Sequence, residues 1–64
     1  MIDFIFMEFY IMKKYNLRVE QYFNIGKQSV SGWRTYNKIP SSRMIEFLNK
    51  EKTLDVKILI DKIY

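Results

Sequence analysis

The sequence predicts a small all-α domain of five helices, with residues 1–64 forming one unit. Apolar residues recur at helical spacing from the first dozen positions onward. Capping residues punctuate the chain at Asn16, Asn24 and Gly26, and the only proline, Pro40, stands where a helix can start. No repeat, low-complexity tract or linker divides the chain.

The first helix is expected from Asp3 to about Lys14. Its sequence is apolar on nearly all sides, Ile5, Phe9 and Met12 fall at helical spacing, and Lys13 and Lys14 suit a helix C-terminus. Asn16 can cap a short second helix over Leu17 to Phe23, with Val19, Tyr22 and Phe23 available to the core. Asn24 readily takes a left-handed backbone, so it can close that helix and redirect the chain. Gly26 can then cap a third helix, from Lys27 to about Tyr36. Pro40 opens the fourth, through SSRMIEFLNK, with Ile39, Met44, Phe47 and Leu48 facing inward. The C-terminal TLDVKILIDKIY reads two ways. Leu54, Val56, Ile58 and Ile60 alternate as in a strand, whereas Val56, Leu59, Ile60 and Ile63 fit a helix. Thr53 as a cap and Asp55 in the first turn favour a fifth helix.

Composition excludes several function classes. Cysteine and histidine are both absent, which removes disulfides, thiolate or imidazole nucleophiles and the common zinc sets. No catalytic constellation is visible, so an enzyme, a metal, a cofactor and a small-molecule substrate are not expected. The N-terminal MIDFIFMEFYIM lacks preceding basic residues, carries Asp3 and Glu8, and is too short to span a bilayer. A cytoplasmic, nucleoid-associated protein without a membrane partner is the resulting expectation.

Charge is unevenly spread. From Lys13 to Arg43 the chain holds seven basic residues against Glu20 alone, whereas the first twelve residues sum to −2 and the last twenty-one to zero. Such asymmetry suggests that the middle of the chain meets a polyanion.

The stretch FNIGKQSVSGWRTY lies at the centre of that basic region. On a helix, Val30 and Trp33 are about 60° apart and define a buried edge. Gln28, Ser31, Gly32 and Thr35 then share the opposite side, flanked by Lys27 and Arg34. A merely solvated helix would carry Glu–Lys pairs and strong helix formers. Here Gly32 alone costs roughly 1 kcal/mol relative to Ala, which suits a face that approaches another surface closely. The DNA major groove accepts a helix and presents base edges that Gln, Lys and Ser can read. Lys27, Gln28 and Ser31 are therefore the candidates for base readout, with Gly32 permitting close approach. Asn16, Arg18, Arg34, Thr35, Lys38, Ser41, Ser42 and Arg43 are the candidates for phosphate contacts.

The pattern FNIGKQSVSGW followed by Ile39-Pro40 resembles the helix-turn-helix of phage-type repressors and Cro proteins, the lambda-repressor-like group. The resemblance covers about Leu17 to Leu48, with Phe23, Asn24, Ile25, Gly26, Val30, Ser31 and Trp33 in the corresponding places. Two positions depart from it: Asn24 replaces the usual turn glycine, and Glu20 stands where the family normally has alanine, at the helix crossing. The resemblance implies a sequence-specific transcriptional regulator that binds double-stranded DNA, a short palindromic operator, as a homodimer. The alternative is a protein-interaction module on the same scaffold, such as an antitoxin or anti-repressor. Phe4, Phe6, Tyr10, Leu54, Ile58, Ile63 and Tyr64 exceed what so short a chain is expected to enclose, and they are the expected dimer surface.

Overall fold

The computed structural model describes residues 2–55 and 57–58. Four α-helices follow one another: α1 over Phe4–Tyr15, α2 over Val19–Phe23, α3 over Lys27–Tyr36 and α4 over Ser41–Lys50. The described chain is thus all-α, with four helices rather than five. Lys57 and Ile58 are also helical, and the remainder of the expected fifth element lies outside the described residues. At its start the Lys57 N–H donates to Asp55 Oδ1 at 2.9 Å, so Asp55 takes the capping place expected of Thr53. No helix among the described residues is long and apolar enough to cross a membrane.

Asparagine closes three of the helices. Asn16, Asn24 and Asn37 have φ of 55°, 56° and 50°, and among the described residues they are the non-glycine ones with positive φ. Asparagine tolerates this region because its short polar side chain bonds locally. After α2 and α3 the closure is of Schellman type: Asn24 and Ile25 N–H donate to Gln21 and Glu20 carbonyls, and Asn37 and Lys38 N–H to Arg34 and Trp33 carbonyls. Asn16 therefore ends α1, its N–H donating to Met12 O at 2.9 Å, instead of starting α2 as the sequence suggested. The second helix begins two residues later than expected, where Gln21 Oε1 accepts from the Arg18 N–H at 2.8 Å.

The core is built from Phe4, Met7, Tyr10 and Ile11 of α1, Val19 and Phe23 of α2, Val30 of α3, Phe47 of α4 and Ile58. Tyr10 meets Phe47 edge to face at 5.7 Å, and Phe23 meets Trp33 likewise at 6.0 Å. One inward assignment changes, that of Leu48, and α1 turns one of its apolar stripes to the core. Ile5 and Met12 lie outside, because α1 offers two apolar stripes and the other one, carrying Phe4, Met7 and Ile11, takes the core. Leu48 is exposed, and Phe47 alone of α4 is fully enclosed. Phe4, Tyr10 and Ile58, expected as surplus for a dimer surface, are buried in the core; Phe6 and Leu54 are partly buried against it. Ile63 and Tyr64 lie outside the described residues.

Glu51, just past α4, fixes that helix to α1 and α2. Its carboxylate is 1% exposed and accepts from Lys14 Nζ at 2.6 Å, Tyr15 Oη at 2.6 Å and Tyr22 Oη at 3.0 Å. Burial pushes the carboxyl pKa up, but the three donors outweigh it and hold it below its ordinary value. The same contacts raise Lys14 and Tyr15, and for Tyr22 burial is the first cause and the Glu51 bond the second. A buried charge is tolerable only when paired and hydrogen-bonded in this way.

Candidate nucleic-acid interface

The α2–turn–α3 unit is built locally. Asn24 reverses the chain, half-buried Ile25 anchors the turn, and Gly26, extended at φ −73°, is the N-cap of α3. Val30 is 1% exposed and locks the middle of α3 to the core, whereas Trp33 is half-buried and covers Phe23 from the edge. The expected buried edge therefore exists, with Val30 deeper than Trp33.

On the outer side Lys27, Gln28, Ser31, Gly32 and Thr35 are all exposed. A Cβ added at Gly32 would meet nothing within 4 Å, so the fold itself does not demand glycine there. Thr35 turns its hydroxyl back to donate to Ser31 O at 3.0 Å. No acidic residue interrupts the sequence between Glu20 and Glu46.

Besides Thr35, whose hydroxyl is taken by Ser31 O, the phosphate candidates divide into two sets. Asn16, Arg18, Lys38, Ser41 and Ser42 are exposed. Ser41 and Ser42 open α4, where their amides precede the first helical bonds and can meet an anion, whereas the Arg43 and Met44 N–H donate to Pro40 O at 3.0 Å. Arg34 and Arg43 are instead held by carboxylates. Arg34 donates to Glu8 Oε2 at 2.6 Å and lies over the Phe4 ring at 5.2 Å. That hydrogen bond, with a further contribution from the nearby charge of Glu20, holds the guanidinium pKa above its ordinary value. Glu20, at the helix crossing, is half-buried. Arg43 donates to Glu46 at 2.9 Å one turn along α4 and stacks over Phe23 at 5.8 Å.

Two contributors to this geometry carry no signal of their own in the sequence. Asn37 Oδ1 accepts from the Ile5 N–H at 3.0 Å, and its Nδ2 donates to Asp3 Oδ2 at 3.3 Å. Asp3 in turn caps α1 by accepting from the Phe6 N–H at 2.9 Å. The end of α3 is thereby tied to the start of α1, and Glu8 adds a second tie one turn further on. Both ties join residues about thirty positions apart, beyond the reach of local pattern.

Comparison with protein-family models, with curated proteins and with solved structures finds no match to this chain.

Proposed function

We propose that this chain is a sequence-specific DNA-binding transcriptional regulator of the lambda-repressor-like kind, acting as a homodimer on a short palindromic operator. The observation that supports it most is the outer face of α3. Lys27, Gln28, Ser31, Gly32 and Thr35 are exposed together on a helix whose opposite edge is locked by Val30, and that face carries no carboxylate. In the major groove Gln28 pairs with adenine through both amide atoms, Lys27 donates to guanine, and Ser31 donates or accepts. Gly32 lets the helix approach. Arg18, Lys38 and the α4 N-terminus at Ser41 and Ser42 grip phosphates on either side, which fixes the register of α3. Occupancy of the operator then excludes polymerase.

A protein-interaction role is the second reading, favoured by Tyr36, Ile45 and Leu48, which stand exposed. Selection of sites from random DNA, followed by affinity measurements across salt, separates the two. A regulator enriches one palindrome, and log K falls with log salt at a slope of about −0.9 per phosphate contacted. No enriched site, and a DNA affinity too weak to measure at low salt, would leave the interaction role.

A further inference from the structure

Helix α1 is apolar on both faces. Phe4, Met7, Tyr10 and Ile11 are buried, while on the opposite side Ile5 and Met12 remain 53% and 44% exposed. With Phe9 and Leu17 these two floor a groove of about 540 Å³. Glu8 lines one flank of it, Lys13 and Arg18 the other. A helix that is apolar all round is ordinarily covered all round, and a patch rimmed by charge marks an interaction site.

The spacing of the outer stripe indicates what covers it. Ile5, Phe9 and Met12 are separated by four and then three residues, the d–a–d steps of a heptad seam, which puts Glu8 at g and Lys13 at the following e. In a parallel pair of helices a g residue faces the e residue five positions on in the other strand. Glu8 of each copy then meets Lys13 of the partner subunit, twice by symmetry. An antiparallel pair sets Glu8 against Glu8 and Lys13 against Lys13, two like-charge contacts. Glu8 can serve this role while it holds Arg34, because its side chain stays 41% exposed and a carboxylate has about four acceptor sites.

We infer that a second copy of this chain docks in parallel along the Ile5–Phe9–Met12 face of α1, with Glu8 and Lys13 selecting orientation and partner. The inference rests on the homodimer of the proposed function, and its test contains no DNA. By sedimentation of the full chain, the wild type should dimerise, and Glu8→Lys and Lys13→Glu should each raise the dimer dissociation constant about tenfold or more. An equimolar mixture of the two variants should recover wild-type affinity, because mixing restores opposite charges on both flanks. Met12→Cys supplies the only thiol in a chain without cysteine, and under oxidant it should cross-link to itself. Should Glu8→Lys unfold through loss of the Arg34 contact, Lys13→Glu and Met12→Cys carry the test alone. A wild-type monomer at several hundred micromolar, dissociation constants unmoved by Lys13→Glu, or cross-linking of Met12→Cys to Ile5→Cys but never to itself would overturn the inference. A stable dimer that ignores DNA would instead overturn only the regulator reading.

Discussion

A Cβ at Gly32 meets open space, so substitution there separates stability from binding. Gly32→Ala should stabilise the domain by about 1 kcal/mol through helix propensity, measured by urea unfolding. Gly32→Glu should also fold, and yet lose DNA binding, because bulk and charge would then face the phosphates. Retained binding by that variant would place position 32 away from the groove. Gln28 tests readout rather than approach. Gln28→Ala should lose about 1 to 3 kcal/mol of discrimination at one base pair with the fold unchanged; an equal drop on the best site and on random DNA would remove Gln28 from the readout set. Trp33 is a different case, since it is half-buried against Phe23 and belongs to the fold. Its replacement by Ala should cost about 3 kcal/mol, the low end for such truncations, because part of the indole is already in water.

Between elements, the decisive contacts are polar ties at helix ends. Asn37→Gly preserves the left-handed closure of α3 but removes both bonds to α1, whereas Asn37→Ala also strains the backbone; the second should be the less stable by about 1 kcal/mol. Glu51 sets the pH response of α4. Its folded pKa is lowered, so its contribution is complete above the ordinary carboxylate range and fades as pH falls below that range through the folded value. Lys14, Tyr15 and Tyr22 are raised, so their contribution is complete below about pH 10 and fades as pH climbs through their folded values. Thermal scans should show a plateau between these limits. Glu51→Gln should lower the plateau by about 2 kcal/mol, roughly 10 °C for a domain of this size, and flatten the acid limb. A variant with wild-type Tm at pH 7 would show that the cluster contributes nothing net. The contrast with the sequence is instructive here. The boundaries of α3, the turn at Asn24 and the Gly26 cap were legible because each depends on residues within a few positions. The phase of α1 was not, since two apolar stripes compete on one helix and the residues that decide between them, Val19, Phe23, Val30, Phe47 and Ile58, all lie on other elements. The burial of Glu51 carried no local signal for the same reason: its donors come from α1 and α2.

At the scale of the whole molecule, the face proposed to meet DNA lies on α3 and the face proposed to meet a second copy lies on α1, with Arg18, exposed beside the α1 groove, bordering both. On the proposed regulator reading, a single α3 would reach only a few base pairs and a domain of this size few phosphates, so tight binding would draw on two copies engaged at once. In a two-fold dimer the recognition helices must enter successive major grooves about 34 Å apart, which makes half-site spacing a geometric constraint. The selected site should therefore be a palindrome. Inserting about five base pairs at its centre turns one half-site to the far face of the duplex and should abolish tight binding, and ten should not restore it, because the half-sites then lie about two helical turns apart, beyond the reach of a dimer of fixed spacing. Ile58 is buried, so a charge there tests the fold and not the assembly; Ile5→Lys is the appropriate disruption, placing a cation on the exposed seam. That variant should sediment as a folded monomer and occupy half-sites independently, with affinity for the full palindrome reduced by a factor on the order of 10². If Ile5→Lys bound the palindrome as the wild type does, and the five-base-pair insertion were tolerated, each α3 would be acting alone and no two-fold operator complex would exist.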